Sequence, residues 1–186
     1  MKPHFFKTSS EFRAWLDQNH STQTEIWVGL WKKISGKKGM NYSEALDEAL
    51  CYGWIDGLVN KYDENSYAQR FSPRRAKSLW SKINTQNIKR LIEEGRMMPA
   101  GLAAVNAAKE DGRWEKAYES PTNMKIPEDF LVLLKKNKKA DDFFKTLNKT
   151  NIFYIAFQLQ TAKKEETRQR RINKIIQMLE REEKIY

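Results

Sequence analysis

The chain has 186 residues, 40% of them hydrophobic and 31% charged, a balance that argues against global disorder. Its net charge of +10 favours anionic partners such as nucleic acid, phosphorylated metabolites or anionic lipid. Cys51 is the one cysteine, which excludes an intramolecular disulfide, and no apolar run is long enough for a signal peptide or a membrane span. We therefore expect a cytoplasmic protein.

The first predicted element is a short helix. Residues 8–11 read Thr-Ser-Ser-Glu, the pattern of a capping box, and apolar residues follow at helical spacing until residues 19–20. Residues 25–33 alternate β-branched and aromatic side chains, which predicts a strand. The glycines and lysines of residues 35–39 predict a turn.

A second helix is predicted to begin after Ser43 as its cap. Residues 54–60 and 67–72 have the composition of two short strands, and the polar loop 63–65 between them indicates antiparallel pairing. With the first strand they make a small three-stranded antiparallel sheet packed by helices. The predicted fold class is therefore α+β.

The rest of the chain is predicted to be helical, and positive charge collects in it. Helices are expected over residues 84–94, 99–111, 127–134, 140–147, 152–160 and 163–183, with Asn151 as a cap. Residues 120–125 are polar and contain Pro121, so we interpret them as a linker. This divides the chain into an α+β domain over residues 1–120 and a basic helical region over residues 121–186.

One stretch combines the residue types of an anion-binding pocket. Arginine binds phosphate or carboxylate at two points, and aromatic rings stack on planar ligands. If the two strands pair, Asp56 and Arg70 come within reach of each other, and Asp56 orients the arginines. The predicted ligand-binding residues are Trp54, Asp56, Tyr67, Arg70, Arg74, Arg75, Trp80, Ser81 and Asn84.

Two alternatives exist for the same residues. In the structural one, Asp56 ties an arginine in a buried ion pair and the tryptophans fill the core. In the enzymatic one, Asp56 is the acid or base of an enzyme acting on a phosphorylated small molecule. No nucleophile motif, phosphate-binding loop or dinucleotide motif accompanies it, so no catalytic residue is assigned. Two isolated histidines do not predict a metal site, and no cofactor is expected.

A second basic surface is predicted near the C-terminus. Lys164, Arg168 and Arg171 share one helical face, and Lys163 lies beside them. Such a face binds nucleic-acid phosphates or anionic lipid. The alternative is a solvated helix face whose cations pair with nearby glutamates.

Several ordered motifs resemble those of the YdeI/OmpD-associated, or bacteriocin-protection, family. They are EALCYGWIDG at 48–57, RFSPRR at 70–75 with residues 78–84, GRMMPAG at 95–101, DGRW at 111–114 and AKKEETRQRRI at 162–172. The resemblance implies a role in protection against bacteriocins or cationic antimicrobial peptides and, in one branch, a link to an outer-membrane porin. It implies no reaction, so we expect a stress-protection binding protein. Because like charges repel, a protective role of this basic chain would be indirect.

Overall fold

In the computed structural model, which describes residues 2–120 and 123–185, the chain divides into two units, Met1–Ala117 and Tyr118–Tyr186. The described residues form eight α-helices and one three-stranded antiparallel sheet. This confirms the predicted α+β class. The linker predicted over residues 120–125 includes residues 121 and 122, which lie outside the described residues.

The sheet of the first unit consists of β1 (Ile26–Trp31), β2 (Trp54–Lys61) and β3 (Ser66–Pro73). Its order is β1-β3-β2, so β3 is the central strand and pairs antiparallel with both neighbours. An irregularity between Asp56 and Val59 interrupts the pairing of β2. Outside β1, His4 forms a parallel bridge with Val28, in which the His4 amide donates to the Trp27 carbonyl.

The helices of the first unit are α1 (Ser9–Asn19), α2 (Tyr42–Cys51), α3 (Lys82–Glu93) and α4 (Pro99–Glu110), with a 3₁₀ turn at Lys33–Ser35. Thr8 caps α1 as predicted, but Glu11 reaches back to the Lys7 amide, so the capping box does not close. The predicted cap of α2 is wrong. Asn41 accepts from the Glu44 amide while Glu44 accepts from the Asn41 amide, and this reciprocal pair starts the helix before Ser43.

The core of the first unit lies between one face of the sheet and the helices. Its largest fully buried side chains are Phe12, Leu16, Leu30, Leu50, Trp54, Phe71, Trp80, Ile88 and Leu91. Two glycines permit the close packing of α4 on the end of α2. Gly53 has φ +74°, and a Cβ on Gly101 would lie 2.2 Å from the Cys51 carbonyl oxygen. Burial of Cys51 raises the pKa of its thiol, with a further contribution from Glu48.

The second unit is helical, with α5 (Glu128–Leu134), α6 (Lys138–Phe144), α7 (Lys149–Gln160) and α8 (Glu165–Glu180). Its core is made by Phe130, Leu134, Ala140, Leu147, Ile155, Leu159, Ile172, Ile175 and Leu179. Asn148, not the predicted Asn151, caps α7, since its side chain accepts from the Asn151 amide at 2.9 Å. Among the described residues, no helix combines the length and the apolar character needed to cross a bilayer.

Candidate functional site

The strand register separates two residues that were predicted to meet. Asp56 of β2 lies opposite Phe71 of β3. Arg70, the residue before Phe71 on β3, lies opposite Trp27 of β1. Side chains of successive strand residues point to opposite faces, so Asp56 and Arg70 lie on different sides of the sheet. Asp56 instead accepts a hydrogen bond of 2.9 Å from the Tyr42 hydroxyl. The predicted pairing of Asp56 with Arg70 is therefore wrong.

Arg70 finds its partner on the other face. Its Nη1 donates to Glu25 Oε2 at 3.3 Å, and its guanidinium lies against Gly57, where a Cβ would come within 3.2 Å of Nε. Arg70 Nε is buried and has no hydrogen-bond partner among the described residues. Arg70 thus lies on a different face of the sheet from Asp56.

The connection between β3 and α3, residues 74–81, is here named the arginine loop. Arg74 organises it: the backbone amide donates to the Gly53 carbonyl at 2.9 Å, and Nη2 donates to the Leu79 carbonyl at 2.7 Å. The guanidinium carbon lies 3.7 Å from the centre of the Trp80 ring, a cation–π contact. Arg74 therefore holds the loop closed.

A second guanidinium supports the same loop from outside it. Arg113 Nη1 donates to the Ser78 carbonyl at 3.0 Å, and Arg113 Nε pairs with Asp111 at 2.6 Å. Trp80 is buried and packs against Trp114, with ring centres 5.1 Å apart. The loop is thus fixed by hydrogen bonds to the Ser78 and Leu79 carbonyls and by the packing of the Trp80 indole.

Three of the predicted site residues have clear structural roles. Ser81 caps α3, because its Oγ accepts from the Asn84 amide at 3.2 Å. Trp54 is buried in the core and donates from Nε1 to the His20 carbonyl at 3.2 Å. Tyr67 packs on the core, and burial raises the pKa of its phenol. Because the Trp54 ring is enclosed, it does not wall an open pocket.

The arginine loop also contains buried polar atoms that make no hydrogen bond within the described part of the chain. Ser78 Oγ and Trp80 Nε1 are both buried and have no hydrogen-bond partner there. Arg75 and Lys77 are exposed, and neither side chain makes an ion pair or hydrogen bond within the described residues. The loop ends at the N-terminus of α3, whose first amides carry partial positive charge. Chemically, this arrangement is suited to an anion.

Sequence reasoning missed the most extensive ion network of the first unit, here named the α2 network. Glu48 pairs with Arg13 and Arg96, each at 2.8 Å, and Asp47 pairs with Arg90 at 2.6 Å. Both carboxylates are buried. Asp47 and Glu48 are adjacent acids among the apolar residues of α2. They could have indicated an ion network from the sequence, because buried carboxylates require cationic partners.

The predicted basic surface of the second unit is partly occupied by the protein itself. Arg168 binds Asp129 through two nitrogens, at 2.5 and 2.8 Å, and these bonds lower the pKa of the Asp129 carboxyl. Arg171 donates to the Gln158 carbonyl at 2.5 Å. Lys163 and Lys164 are exposed but precede α8. The four cations therefore do not form one open helical face.

No set of three or more His, Cys, Asp or Glu side chains in residues 2–120 and 123–185 is arranged to hold a metal ion. A cavity of about 340 Å³ exists in the first unit, but it is lined by residues of α1, β1 and the segments beside them, not by the arginine loop.

These features define an α+β protein with a separate helical unit after it. Residues 4–104, more than half of the chain, match a family described as a domain of unknown function (DUF8412), and the chain belongs to that family. Residues 123–182 match the family described as bacteriocin-protection, YdeI or OmpD-associated, which confirms the predicted resemblance for that part of the chain, whereas the motifs at residues 48–57, 70–75 and 95–101 lie within the DUF8412 match. No curated protein and no solved structure matches the chain.

Proposed function

We propose that this chain is a binding protein of the bacteriocin-protection type whose arginine loop holds a small anion. The observation that carries the proposal is the pair of buried atoms, Ser78 Oγ and Trp80 Nε1, that have no hydrogen-bond partner among the described residues. Leaving such donors unpaired costs about 1–3 kcal/mol each, so a bound guest that accepts from them is favoured.

The charges around these atoms support an anion as the guest. Residues 65–96 contain many more Lys and Arg than Asp and Glu, and within the loop Arg75 and Lys77 are exposed. The N-terminus of α3 adds backbone amides at the loop's end. Phosphate accepts hydrogen bonds from guanidinium, amide and indole donors alike. We therefore name phosphate-like oxyanions as the ligand class, in a cytoplasmic setting where phosphorylated metabolites are abundant.

The alternatives are less favoured by the contacts. The nucleic-acid or lipid surface of the second unit loses Arg168 and Arg171 to internal hydrogen bonds. For the enzymatic alternative, Asp56 accepts a hydrogen bond from Tyr42, but Arg70, the arginine predicted to lie beside it, pairs with Glu25 instead. Binding at the loop uses groups that already lie together, so we prefer it for this member of the family.

The test is thermal unfolding of the full chain with inorganic phosphate or pyrophosphate at constant ionic strength. We expect an increase in Tm that disappears in the double variant Arg75→Ala/Lys77→Ala, because binding to the native state alone stabilises it. The matched control is Lys135→Ala/Lys136→Ala, which removes the same charge from exposed positions of the second unit.

A Tm increase that survives in Arg75→Ala/Lys77→Ala, or that is absent from the unmodified chain at millimolar anion, contradicts the proposal. The variant Trp80→Phe removes the indole N–H while keeping an aromatic ring under Arg74. It should weaken anion binding without a comparable loss of stability in the absence of anion.

A further inference from the structure

The cavity beside α1 and β1 combines aromatic walls with polar side chains. Trp15 of α1 and Trp27 of β1 contribute indole rings, and Asn19, Gln23 and Glu25 contribute amides and a carboxylate. Its volume of about 340 Å³ falls in the range of small-molecule sites. Its lining residues are distinct from the arginine loop, so this site is independent of the proposed anion site.

Both indole rings are held in place before any ligand arrives. Trp15 meets Trp54 edge to face, with ring centres 5.9 Å apart, and also stacks on Phe12. Trp27 Nε1 donates to Glu25 Oε1 at 3.1 Å. Fixed rings of this kind bind a planar heterocycle with little loss of side-chain entropy.

The Glu25 carboxylate is oriented from two sides. Oε1 accepts from Trp27 and Oε2 accepts from Arg70, yet the side chain is 45% exposed. Each carboxylate oxygen has two acceptor positions, so both oxygens can accept one further bond. A carboxylate with two open positions matches a ligand edge with two adjacent N–H donors.

Guanine presents such an edge, because its N1–H and N2–H lie side by side. On the corresponding edge, adenine presents an acceptor beside its amino group. Two acceptors repel each other, so this edge binds a carboxylate less well. Asn19 Nδ2 donates to the Trp15 carbonyl at 2.7 Å, and Asn19 Oδ1 is a further acceptor. The Glu25 carboxylate, which only accepts hydrogen bonds, therefore favours a donor-rich base.

A lysine and a histidine in the lining indicate a phosphorylated ligand. Lys2 and His4 are exposed at the cavity, and Glu25 is its one carboxylate, already paired with Arg70. An ammonium and an imidazole within one small site attract a phosphate group. We infer that this cavity binds a guanine nucleotide, with the base against the Trp27 indole and Glu25, which are hydrogen-bonded to each other, and the phosphate at Lys2 and His4.

The experiment is a titration of the full chain with GMP, AMP and guanosine, followed by tryptophan fluorescence and calorimetry. GMP should bind at least about tenfold more tightly than AMP, because mispaired polar groups cost at least about 1.4 kcal/mol. Guanosine should bind more weakly than GMP, and Lys2→Ala should reduce that difference.

Two variants test the base contacts. Trp27→Leu should weaken GMP binding about tenfold, since it removes the aromatic ring on which the base stacks. Its control is Trp31→Leu, which removes a half-buried tryptophan from the same strand and face, outside the cavity lining. Glu25→Gln keeps the side-chain shape but should abolish the preference for GMP over AMP.

Equal affinity for GMP and AMP, absence of binding at millimolar GMP, or equal losses in Trp27→Leu and Trp31→Leu would each overturn the inference. Circular dichroism of every variant separates a lost site from a lost fold. The control Lys135→Ala/Lys136→Ala, at exposed positions of the second unit, should leave GMP binding unchanged. If Arg75→Ala/Lys77→Ala abolishes GMP binding, the nucleotide sits at the arginine loop and the cavity assignment fails.

Discussion

The α2 network and the arginine loop use guanidinium groups in opposite ways. In the α2 network, Arg13, Arg90 and Arg96 each contact a buried carboxylate of α2 within 2.8 Å. In the arginine loop, Arg74 contacts a carbonyl and an indole, and Arg75 has no side-chain polar partner among the described residues. A cation that neutralises a buried acid is required by the fold. A cation such as Arg75, whose side chain binds no carboxylate in the described part of the chain, remains able to attract an anion.

The largest expected effect is on the α2 network. Glu48→Ala leaves Arg13 and Arg96 without their shared carboxylate, and breaking a buried pair of this kind costs about 3–5 kcal/mol. Urea unfolding should show this loss of stability. The control Glu94→Gln alters an acid that is 38% exposed and bound to Arg90 and Arg96 of the same network, and it should cost much less stability. Equal losses in both variants would show that burial is not what distinguishes them.

The arginine loop should respond less strongly. Arg74→Ala removes the hydrogen bond to Leu79 and the contact with Trp80, so we expect a loss of about 1–2 kcal/mol. Arg75→Ala at the neighbouring position should change stability by less than about 0.5 kcal/mol. Denaturant midpoints of the two variants provide the comparison. A large loss from Arg75→Ala would mean that this side chain is a structural support and would weaken the anion proposal.

The second unit offers an exposed ion pair for comparison. Arg168→Ala should cost about 0.2–1 kcal/mol, because Asp129 is 55% exposed. Arg168 lowers the pKa of Asp129, so the pair stabilises the fold above the carboxyl's unfolded pKa of about 4. That contribution is lost as the pH falls through the lowered folded pKa. The stability difference between Arg168→Ala and the unmodified chain should therefore vanish in strong acid, and a difference that persists there would exclude this ion pair as its cause.

The smallest expected effect is the titration of a single phenol next to the α2 network. Burial and the hydrogen bond to Asp17 raise the pKa of Tyr52 to about 12. Its contribution to stability is complete below an unfolded pKa of about 10 and is lost as the pH rises through the folded value. Absorbance of tyrosinate should show a late-titrating group that Tyr52→Phe removes. An unchanged titration curve in that variant would assign the late group elsewhere.

Much of the fold was accessible from the sequence, but the site was not. Alternating side chains and cap residues located the three strands and most helices, because those signals are local. The register of β2 was not predictable, since Leu58 and Val59 are 61% and 59% exposed and leave the apolar pattern ambiguous. The faces of Asp56 and Arg70 depend on that register. The α2 network joins residues far apart in the chain, such as Arg13 and Glu48, and no local pattern specifies such pairs.

The short bridge at His4 has a consequence for self-association. A sheet ordered β1-β3-β2 exposes the outer edges of β1 and β2, and an unpaired edge can recruit a strand from another molecule. The segment at His4 covers part of the first edge, and the irregular pairing between Asp56 and Val59 distorts the second. Neither border is therefore a straight template to which other copies of the chain could add strands.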